Sequence, residues 1–376
     1  MDESLRLFGA PLNDFGVQPV WIKIVNNSDL PQWLFPIGVD AEYFPPYEVG
    51  QRVSRPEGLS EDKLYERLVN YQMPHFIPPR QTHSGFIYTH TDEGMKAFEV
   101  ELHSPGEVIR HSFVVPVPGM PHDYFDIAAE TIYRQHEVKD LDLDGLREWL
   151  NTVACCTSNA EGQQGDPVNV VFIGRLEHVR AALIGRHWDV TAPVTRASLL
   201  RMVNAFIFGS RYRYAPISEL FVFGRPHDLA FQKARAVIDE RNHMRLWLAP
   251  VTYEGAHVWL AQISRDAGVK FSGRLWPPTT HVIDPDVDEA RFYLLQDLLQ
   301  GESLSRVGYV SAHHASTPDK PHRNAENDPY FTDGLRAVFF VSAEPVPIKQ
   351  LRVLDWDLPA PLLPYRNLFV KDGEAQ

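Results

Sequence analysis

Alternating apolar and polar residues dominate the first third of the chain. The stretch GVQPVWIKIVNNSDLPQWLF alternates up to a turn at residues 26–29, which predicts a strand, a turn and a second strand. MKAFEVELHSPGEVIRHSFVVPVPG predicts a hairpin that turns at residues 104–106. Between them, SEDKLYERLVNYQ predicts one helix with Ser60 as its N-cap. We therefore expect residues 1–150 to form a mostly-β, sandwich-like domain.

The hydrophobic period changes from two to 3.6 in the second part of the chain, residues 151–376. GDPVNVVFIG is a continuous apolar strand, and RLEHVRAALIGRHW and TRASLLRMVNAFIFG have helical spacing. HMRLWLAPV and HVWLAQIS predict a hairpin, and LRAVFFVSA predicts a late strand. We expect an α/β domain here, with a mixed sheet flanked by helices and a Pro-rich C-terminal tail. The fold class of the whole chain is then mixed, α+β.

Two acidic stretches resemble metal-binding loops but are better explained as helix caps. Residues 140–145 carry alternating aspartates and a glycine, as a calcium loop does, but its twelfth position is Asn151 where a bidentate Glu is required. We favour an acidic cap for the helix in DLDLDGLREWLNTV. In HVIDPDVDEARFYLLQDLLQG we expect a helix with Asp284 as N-cap and Gly301 at its end.

Length, charge and the apolar runs limit the number of domains and the kinds of partner. A chain of 376 residues exceeds one ordinary core, so two domains are expected. The formal net charge of -13 opposes nucleic-acid binding, which needs clustered Lys and Arg. No segment has the roughly 18 apolar residues that a membrane span requires. The N-terminal sequence MDESLRLFGAP lacks a continuous apolar core, so it does not predict a signal peptide.

Candidate chemistry concentrates in residues 221–247, FVFGRPHDLAFQKARAVIDERNHMRLW. A strand period of two places Met244, Leu246 and Leu248 on one face and His243, Arg245 and Trp247 on the other. We expect the polar face and the insert before it to meet in one cleft. The candidate catalytic residues are His227, Asp228, His243 and His281, and the candidate substrate-binding residues are Arg225, Gln232, Lys233, Arg245 and Trp247.

These residue types suit anion chemistry. Arg and Lys bind phosphate or carboxylate, and a His with an Asp partner serves as general base or nucleophile. A divalent metal held by His227, His243 and His281 is an alternative, although no ligand spacing is diagnostic and the cofactor stays undetermined. The structural alternative for His243 is a hydrogen-bonded sheet residue, and we expect Arg241 to be solvated. The phosphate-loop, G-x-S-x-G, H-E-x-x-H and C-x-x-C motifs do not occur.

The two cysteines, Cys155 and Cys156, are adjacent. Neighbouring cysteines seldom pair because the ring that they close is strained. We favour two small core residues, and the alternative is a thiol pair that binds a metal or changes redox state. In the loop HHASTPDKPHRNAENDPYFTDG we expect His313, His314 and His322 at the surface, with a second metal cluster as the alternative.

Five blocks of the sequence together resemble the LssY C-terminal domain family: VNVVFIG, LFVFGRPHDLAFQK, HMRLWLAP, THVIDPDVDEARFYLLQDLL and DPYFTDGLRAVFFV. The resemblance spans roughly Gly165 to Ser342, and the upstream GVQPVWIKIVNNSD is similar to the N-terminal part of longer bacterial members. Some relatives carry the domain beside membrane phosphatase-like or transporter-like segments, which this sequence lacks. The resemblance thus implies a bacterial envelope or periplasmic setting, with the cytoplasm as the alternative, and phosphoester chemistry by association.

Two functional hypotheses follow. The first is a hydrolase that acts on a phosphate ester or another small anionic substrate. The alternative is a non-catalytic, envelope-associated module that binds a protein partner or an anionic ligand through its β domain or its polar face. The metal-dependent enzyme is a third possibility.

Overall fold

A computed structural model describes residues 3–53, 58–92, 95–117, 132–134, 137–190, 219–234, 241–271 and 279–366. The chain divides into two compact units, Met1–His122 (unit 1) and Asp123–Gln376 (unit 2). The helix that we predict from TRASLLRMVNAFIFG lies outside the described residues. No helix within the described ranges is long and apolar enough to cross a membrane.

Unit 1 contains three helices and six strands among its described residues. The helices are α1 (Glu3–Phe8), α2 (Pro46–Arg52) and α3 (Glu61–Tyr71). The strands are β1 (Val17–Val25), β2 (Gln32–Phe35), β3 (Phe76–Ile77), β4 (Thr82–His90), β5 (Met95–Ser104) and β6 (Glu107–Pro116).

Two antiparallel sheets build unit 1. Strands β1 and β4 form one, and the other has the order β3-β2-β5-β6. Apolar residues from both sheets, such as Ile22, Ile87 and Val100, share one buried core, which fits the predicted sandwich-like arrangement. The predicted cap of α3 is confirmed, because the Ser60 side chain accepts a hydrogen bond from the Lys63 N–H at 3.4 Å.

Unit 2 contains sixteen strands and three helices among its described residues. The first strands are β7 (Lys139–Leu141), β8 (Cys156–Ser158), β9 (Gln164–Pro167), β10 (Val170–Ile173), β11 (Asp189–Val190), β12 (Phe221–Val222), β13 (Arg225–Pro226) and β14 (Leu229–Ala234). The others are β15 (Arg241–Tyr253), β16 (Ala256–Phe271), β17 (Thr279–Ile283), β18 (Leu304–Ser311), β19 (His322–Arg323), β20 (Pro329–Tyr330), β21 (Leu335–Val341) and β22 (Arg352–Val353). The helices are α4 (Leu143–Thr152), α5 (Leu176–Ile184) and α6 (Val287–Gln300).

A ten-stranded mixed sheet forms the body of unit 2. Its main order is β11-β14-β15-β16-β10-β21-β18-β22, with β17 beside β16 and β7 beside β15. Most neighbours are antiparallel, but the pairs β10–β21, β7–β15 and β18–β22 run parallel. The predicted hairpin of β15 and β16 turns at Glu254 and Gly255, which both have positive φ, as a tight two-residue hairpin turn requires. The predicted mixed α+β class is confirmed.

Helices cover both faces of this sheet. On one face, Leu146 and Leu150 of α4 pack with Trp247 and Val338 in a large apolar core. On the other face, α6 contacts β16 and buries Leu294 among its apolar residues. The long sheet is thus buried on both sides, which explains why its strands read as nearly continuous apolar runs.

The acidic stretches cap helices, as predicted, but one cap is displaced. Asp142 caps α4 by accepting a hydrogen bond from the Gly145 N–H at 2.8 Å. The N-cap of α6 is Asp286, so the prediction of Asp284 was wrong by two residues. Asp284 instead accepts from the Asp286 N–H at 3.1 Å, and this local turn delays the start of the helix to Val287.

Candidate functional site

Strand register assembles a polar cluster on the α4 side of the sheet. Directly opposed residues of neighbouring strands share a face, and His243 of β15 lies between Gln232 of β14 and Ser264 of β16. We call this set the interior polar cluster: Gln232, Arg241, His243, Arg245, Gln262, Ser264 and Asp266. Every member is buried, so their charges interact with little screening by water.

His243 and Asp266 form the closest ionisable pair of the interior polar cluster. The Nε2 atom of His243 lies 2.6 Å from the Asp266 Oδ2 atom, and both side chains are buried. Burial lowers the pKa of His243 to about 4, helped by the positive charge of Arg241 and opposed by the charge of Asp266. The imidazole is therefore neutral at pH 7.

Arg245 lies in the middle of the interior polar cluster. Its Nη1 atom donates to the Gln262 Oε1 atom at 2.7 Å. Burial lowers the pKa of Arg245 to about 10, while the charges of Asp166 and Asp266 oppose this shift. Asp166, from β9, is buried and accepts a hydrogen bond from the Asn324 Nδ2 atom at 2.9 Å. Burial raises the pKa of Asp166, and Asn324 and Arg245 oppose that rise.

Arg241 belongs to the cluster, so the prediction that it is solvated was wrong. Its exposed fraction is 3%, its Nη1 atom donates to the Gln232 Oε1 atom at 2.9 Å, and its Nε atom lies 3.6 Å from an Asp266 oxygen. Strand β15 begins at Arg241, and a period of two puts that residue on the same face as His243.

Three buried polar atoms beside Arg245 have no hydrogen-bond partner within the part of the chain that the structure describes. They are His227 Nδ1, Trp247 Nε1 and Gln262 Nε2. Gln262 is oriented by Arg245, because its Oε1 atom accepts from the guanidinium and its Nε2 atom is left as a donor. The indole nitrogen is also a donor only. Such unsatisfied groups are rare in proteins, and two of the three, Trp247 Nε1 and Gln262 Nε2, are hydrogen-bond donors.

His227 is held beside Trp247, with ring centroids 6.3 Å apart in an edge-to-face arrangement. Burial and the nearby charge of Arg245 lower the pKa of His227 to about 4. It is therefore neutral at pH 7, like His243. Of the residues that we predict from the sequence, Gln232, His243, Arg245 and Trp247 share one sheet face, and His227 lies next to them.

Arg225 and Asp228 hold the backbone of β15. The Arg225 guanidinium contacts the Asp228 carboxylate, and its Nη2 atom donates to the Leu248 carbonyl at 2.6 Å. The Asp228 Oδ2 atom accepts from the Leu248 N–H at 2.6 Å. The pair thus satisfies both backbone groups of Leu248, next to a register shift in β15. Asp228 orients neither histidine in this arrangement.

Lys233 lies on the opposite face of the sheet from His243. Its Nζ atom is 2.7 Å from the Asp297 Oδ2 atom of α6, and the same carboxylate accepts from Trp188 Nε1 at 2.9 Å and Arg186 Nε at 3.1 Å. Lys233 is thus separated from Arg245 by the thickness of the sheet. His281 is in β17 with its backbone opposite Val269, and its side chain lies outside the described residues.

Three residues of the site, Asp166, Gln262 and Asp266, were not predicted from the sequence. Two of them carry a signal, because AQISRD places Gln262, Ser264 and Asp266 at alternating positions of one strand. The register with β15 was needed to match that polar face to His243 and Arg245. Asp166 has no comparable pattern, since it comes from the short strand β9 of a different sheet.

The family model described as LssY C-terminus matches residues 148–335, which is half of the chain and includes the interior polar cluster. No curated protein and no solved structure matches the chain. Four of the five sequence blocks that carry the predicted resemblance lie wholly within the matched range, and the fifth, DPYFTDGLRAVFFV, extends six residues beyond Leu335. The matched range lies within unit 2. This protein belongs to the LssY C-terminus family.

Proposed function

We propose that unit 2 is a hydrolase that acts on a phosphate ester or another small anionic ester, with His243 as its general base. The pairing of His243 with Asp266 at 2.6 Å supports this role. A neutral imidazole accepts a proton, and a carboxylate partner orients the ring and stabilises the imidazolium that forms. The lowered pKa of His243 keeps its imidazole neutral over the physiological range.

The donors around Arg245 supply the anion site of the proposal. Arg245 brings a planar cationic fork, and Trp247 Nε1 and Gln262 Nε2 are buried donors beside it. His243 and Arg245 are two residues apart on one strand face, about 6.6 Å along the strand. The proton acceptor and the anion-binding cation thus lie on one face of one strand, and this placement of His243 and Arg245 is the single observation that carries the proposal.

The proposed reaction is the addition of water to the ester. His243 removes a proton from the water as its oxygen bonds to phosphorus or to the carbonyl carbon. The bond to the leaving alcohol then breaks, and the imidazolium returns the proton to the alkoxide. Arg245 and the two neutral donors stabilise the negative charge that gathers on the non-bridging oxygens. Arg225, Asp228 and Lys233 are assigned no catalytic step.

The test is turnover by the full chain on a panel of aryl phosphate monoesters, phosphate diesters and carboxylic esters. We expect His243→Asn to lower kcat by about 10²- to 10⁴-fold, which is the usual contribution of a general base. Arg245→Gln should raise KM as well. The matched control is His257→Asn, because His257 is on β16 but at an odd position that faces away from Gln262 and Asp266.

Two results would contradict the hydrolase. One is an absence of turnover across the panel by the folded wild-type chain. The other is a His243→Asn variant that melts near the wild-type temperature and keeps wild-type kcat. A variant that unfolds is replaced by Asp266→Asn, which keeps the size of the side chain while removing its charge.

A second candidate function is a non-catalytic interaction module, and exposed aromatic residues on unit 1 favour it. Trp33 and Phe76 are 43% and 45% exposed and lie edge to face with ring centroids 5.5 Å apart. Phe35 is 41% exposed and stacks on His103 with centroids 3.9 Å apart. Aromatic residues of this kind are enriched in binding surfaces.

The discriminating experiment uses the double variant Trp33→Ser, Phe76→Ser. If unit 1 is a docking surface, a partner identified by mass spectrometry should bind the wild-type chain and lose binding to the double variant. Tyr47→Ser is the control, since Tyr47 is 64% exposed but belongs to helix α2. Equal partner binding by the double variant and the wild type would reject this surface.

A further inference from the structure

A second group of reactive side chains lies in unit 2, at the start of β8. The structure brings together the two cysteines, Cys155 and Cys156, and His314 from the loop between β18 and β19. One ligand atom from each lies within 4.8 Å of the others. The chain has only these two cysteines, and both are unpaired and partly exposed.

We propose that Cys155, Cys156 and His314 bind a thiophilic divalent metal ion, with Zn²⁺ as the best fit. Thiolate and imidazole are the ligands that Zn²⁺ prefers, and two thiolates with one imidazole form a known three-ligand zinc set. Three protein ligands leave the fourth position of a tetrahedral ion for water or another small ligand. The site does not depend on the proposed hydrolase activity.

The separation of the ligand atoms suits such an ion. With bonds of about 2.0–2.3 Å, the ligand atoms of a tetrahedral zinc site lie about 3.5–3.8 Å apart. Atoms that already lie within 4.8 Å need to move by only about 1 Å, which side-chain rotation provides. Cys155 precedes the first residue of β8, so strand alternation does not force its sulfur away from that of Cys156.

Outer contacts hold the histidine in place. The Tyr330 hydroxyl lies 2.9 Å from His314 Nε2 and 4.0 Å from Cys156 Sγ, and Tyr330 is fully buried. The ring of His322 stacks on His314 with centroids 3.8 Å apart. Orienting partners of this kind are typical of metal-binding histidines. We predicted His314 and His322 at the surface, but both are partly buried.

Metal titration of the full chain tests the proposal. The protein is treated with chelator, kept reduced, and titrated with Zn²⁺ in competition with a chromophoric chelator and separately with Co²⁺. We expect one ion per chain and a thiolate-to-cobalt charge-transfer band. Cys155→Ser, Cys156→Ser and His314→Ala should each weaken Zn²⁺ binding by more than about a hundredfold, and Tyr330→Phe by about tenfold.

The control is His313→Asn. His313 is the exposed neighbour of His314 and has a positive φ of 53°, which asparagine tolerates, so this variant should bind Zn²⁺ as the wild type does. A measurement on the wild type avoids the risk that a cysteine variant unfolds. Zn²⁺ should protect both thiols from alkylation, and the absence of other cysteines makes this readout specific.

Three outcomes would overturn the metal site. The first is less than one Zn²⁺ per reduced chain, and the second is a Co²⁺ spectrum without the thiolate band. The third is equal alkylation of the cysteines with and without Zn²⁺. Any of these would leave the two cysteines as packing side chains without a metal, although they are partly exposed and not the core residues that the sequence predicts.

Discussion

His243 loses its contact with water in the sheet, and this loss lowers its pKa to about 4 although Asp266 lies 2.6 Å away. The unfolded chain gives the same imidazole its ordinary pKa of 6.5. Between these two values the unfolded chain binds a proton that the folded chain does not. Protonation at low pH therefore favours the unfolded state.

We expect the free energy of unfolding to fall as the pH is lowered from about 6.5 to about 4, by up to about 3 kcal/mol for His243. The stabilisation is complete above pH 6.5 and is lost as the pH falls through the folded pKa. His227, with a pKa lowered to about 4, should add to the same slope. Urea unfolding at several pH values measures it.

The matched variants for this pH dependence are His243→Asn and His83→Asn. The first removes a titrating group and should flatten the slope. The second changes a partly exposed histidine of β4 and should leave the slope as it is in the wild type. A wild-type slope in His243→Asn would show that the buried imidazole does not control the acid sensitivity of the fold.

At the scale of elements, one buried arginine joins the end of α4 to the sheet. Arg336 of β21 is fully buried and donates to the Leu150 carbonyl at 2.7 Å, to Val153 at 3.0 Å and to Ala154 at 2.5 Å. It also donates to the Val168 carbonyl at 3.0 Å. The final carbonyls of a helix have no partners within the helix, so this side chain satisfies them.

Arg336→Met should destabilise the protein by about 3 kcal/mol or more, because several buried carbonyls would lose their donors. Arg175→Met is the control, since the Arg175 side chain is 71% exposed and should change stability by less than about 0.5 kcal/mol. Chemical denaturation of both variants measures the difference. Equal stabilities would mean that α4 is held by its apolar contacts alone.

Lys233 and Asp297 connect β14 to α6 on the other face. Lys233→Met removes one of three donors to the buried Asp297 and should destabilise the protein by about 1–3 kcal/mol. It should leave kcat/KM unchanged, because the side chain points away from Arg245. A large loss of activity at unchanged stability would instead favour the substrate-binding role that we predict from the sequence. Lys349→Met, in an exposed 3₁₀ turn, is the control for loss of a lysine charge.

Local periodicity predicted which residues share a strand face, but it did not predict which strands are neighbours. The alternation in HMRLWL placed His243 and Arg245 together, and the structure has them so. Lys233 was expected to join them because it is close in sequence, yet an odd position opposite Asn242 puts it on the α6 side. Asp266 was missed because it lies 23 residues from His243 in the sequence. Only the register of the hairpin brings the two side chains together.

At the scale of the whole molecule, each unit has its own apolar core. The two described core clusters of unit 1 draw on residues between 7 and 109, and the large cluster of unit 2 draws on residues between 141 and 356. None of these clusters takes residues from both units. Sequence periodicity predicted two domains with α4 at their boundary. The hydrophobic pattern of a helix does not show which of two cores the helix joins. In the structure α4 packs in unit 2.

Because unit 2 holds its own core, the interior polar cluster and the family match, a fragment of residues 123–376 should fold alone. We expect it to unfold cooperatively and, if the proposed hydrolase is correct, to keep kcat within about twofold, since every residue of the proposed site lies inside it. Thermal melting followed by circular dichroism, together with the ester panel, measures both properties. A fragment of residues 137–376 is the matched comparison, because β7 begins at Lys139. Failure of both fragments to melt cooperatively would show that unit 2 needs unit 1 to fold.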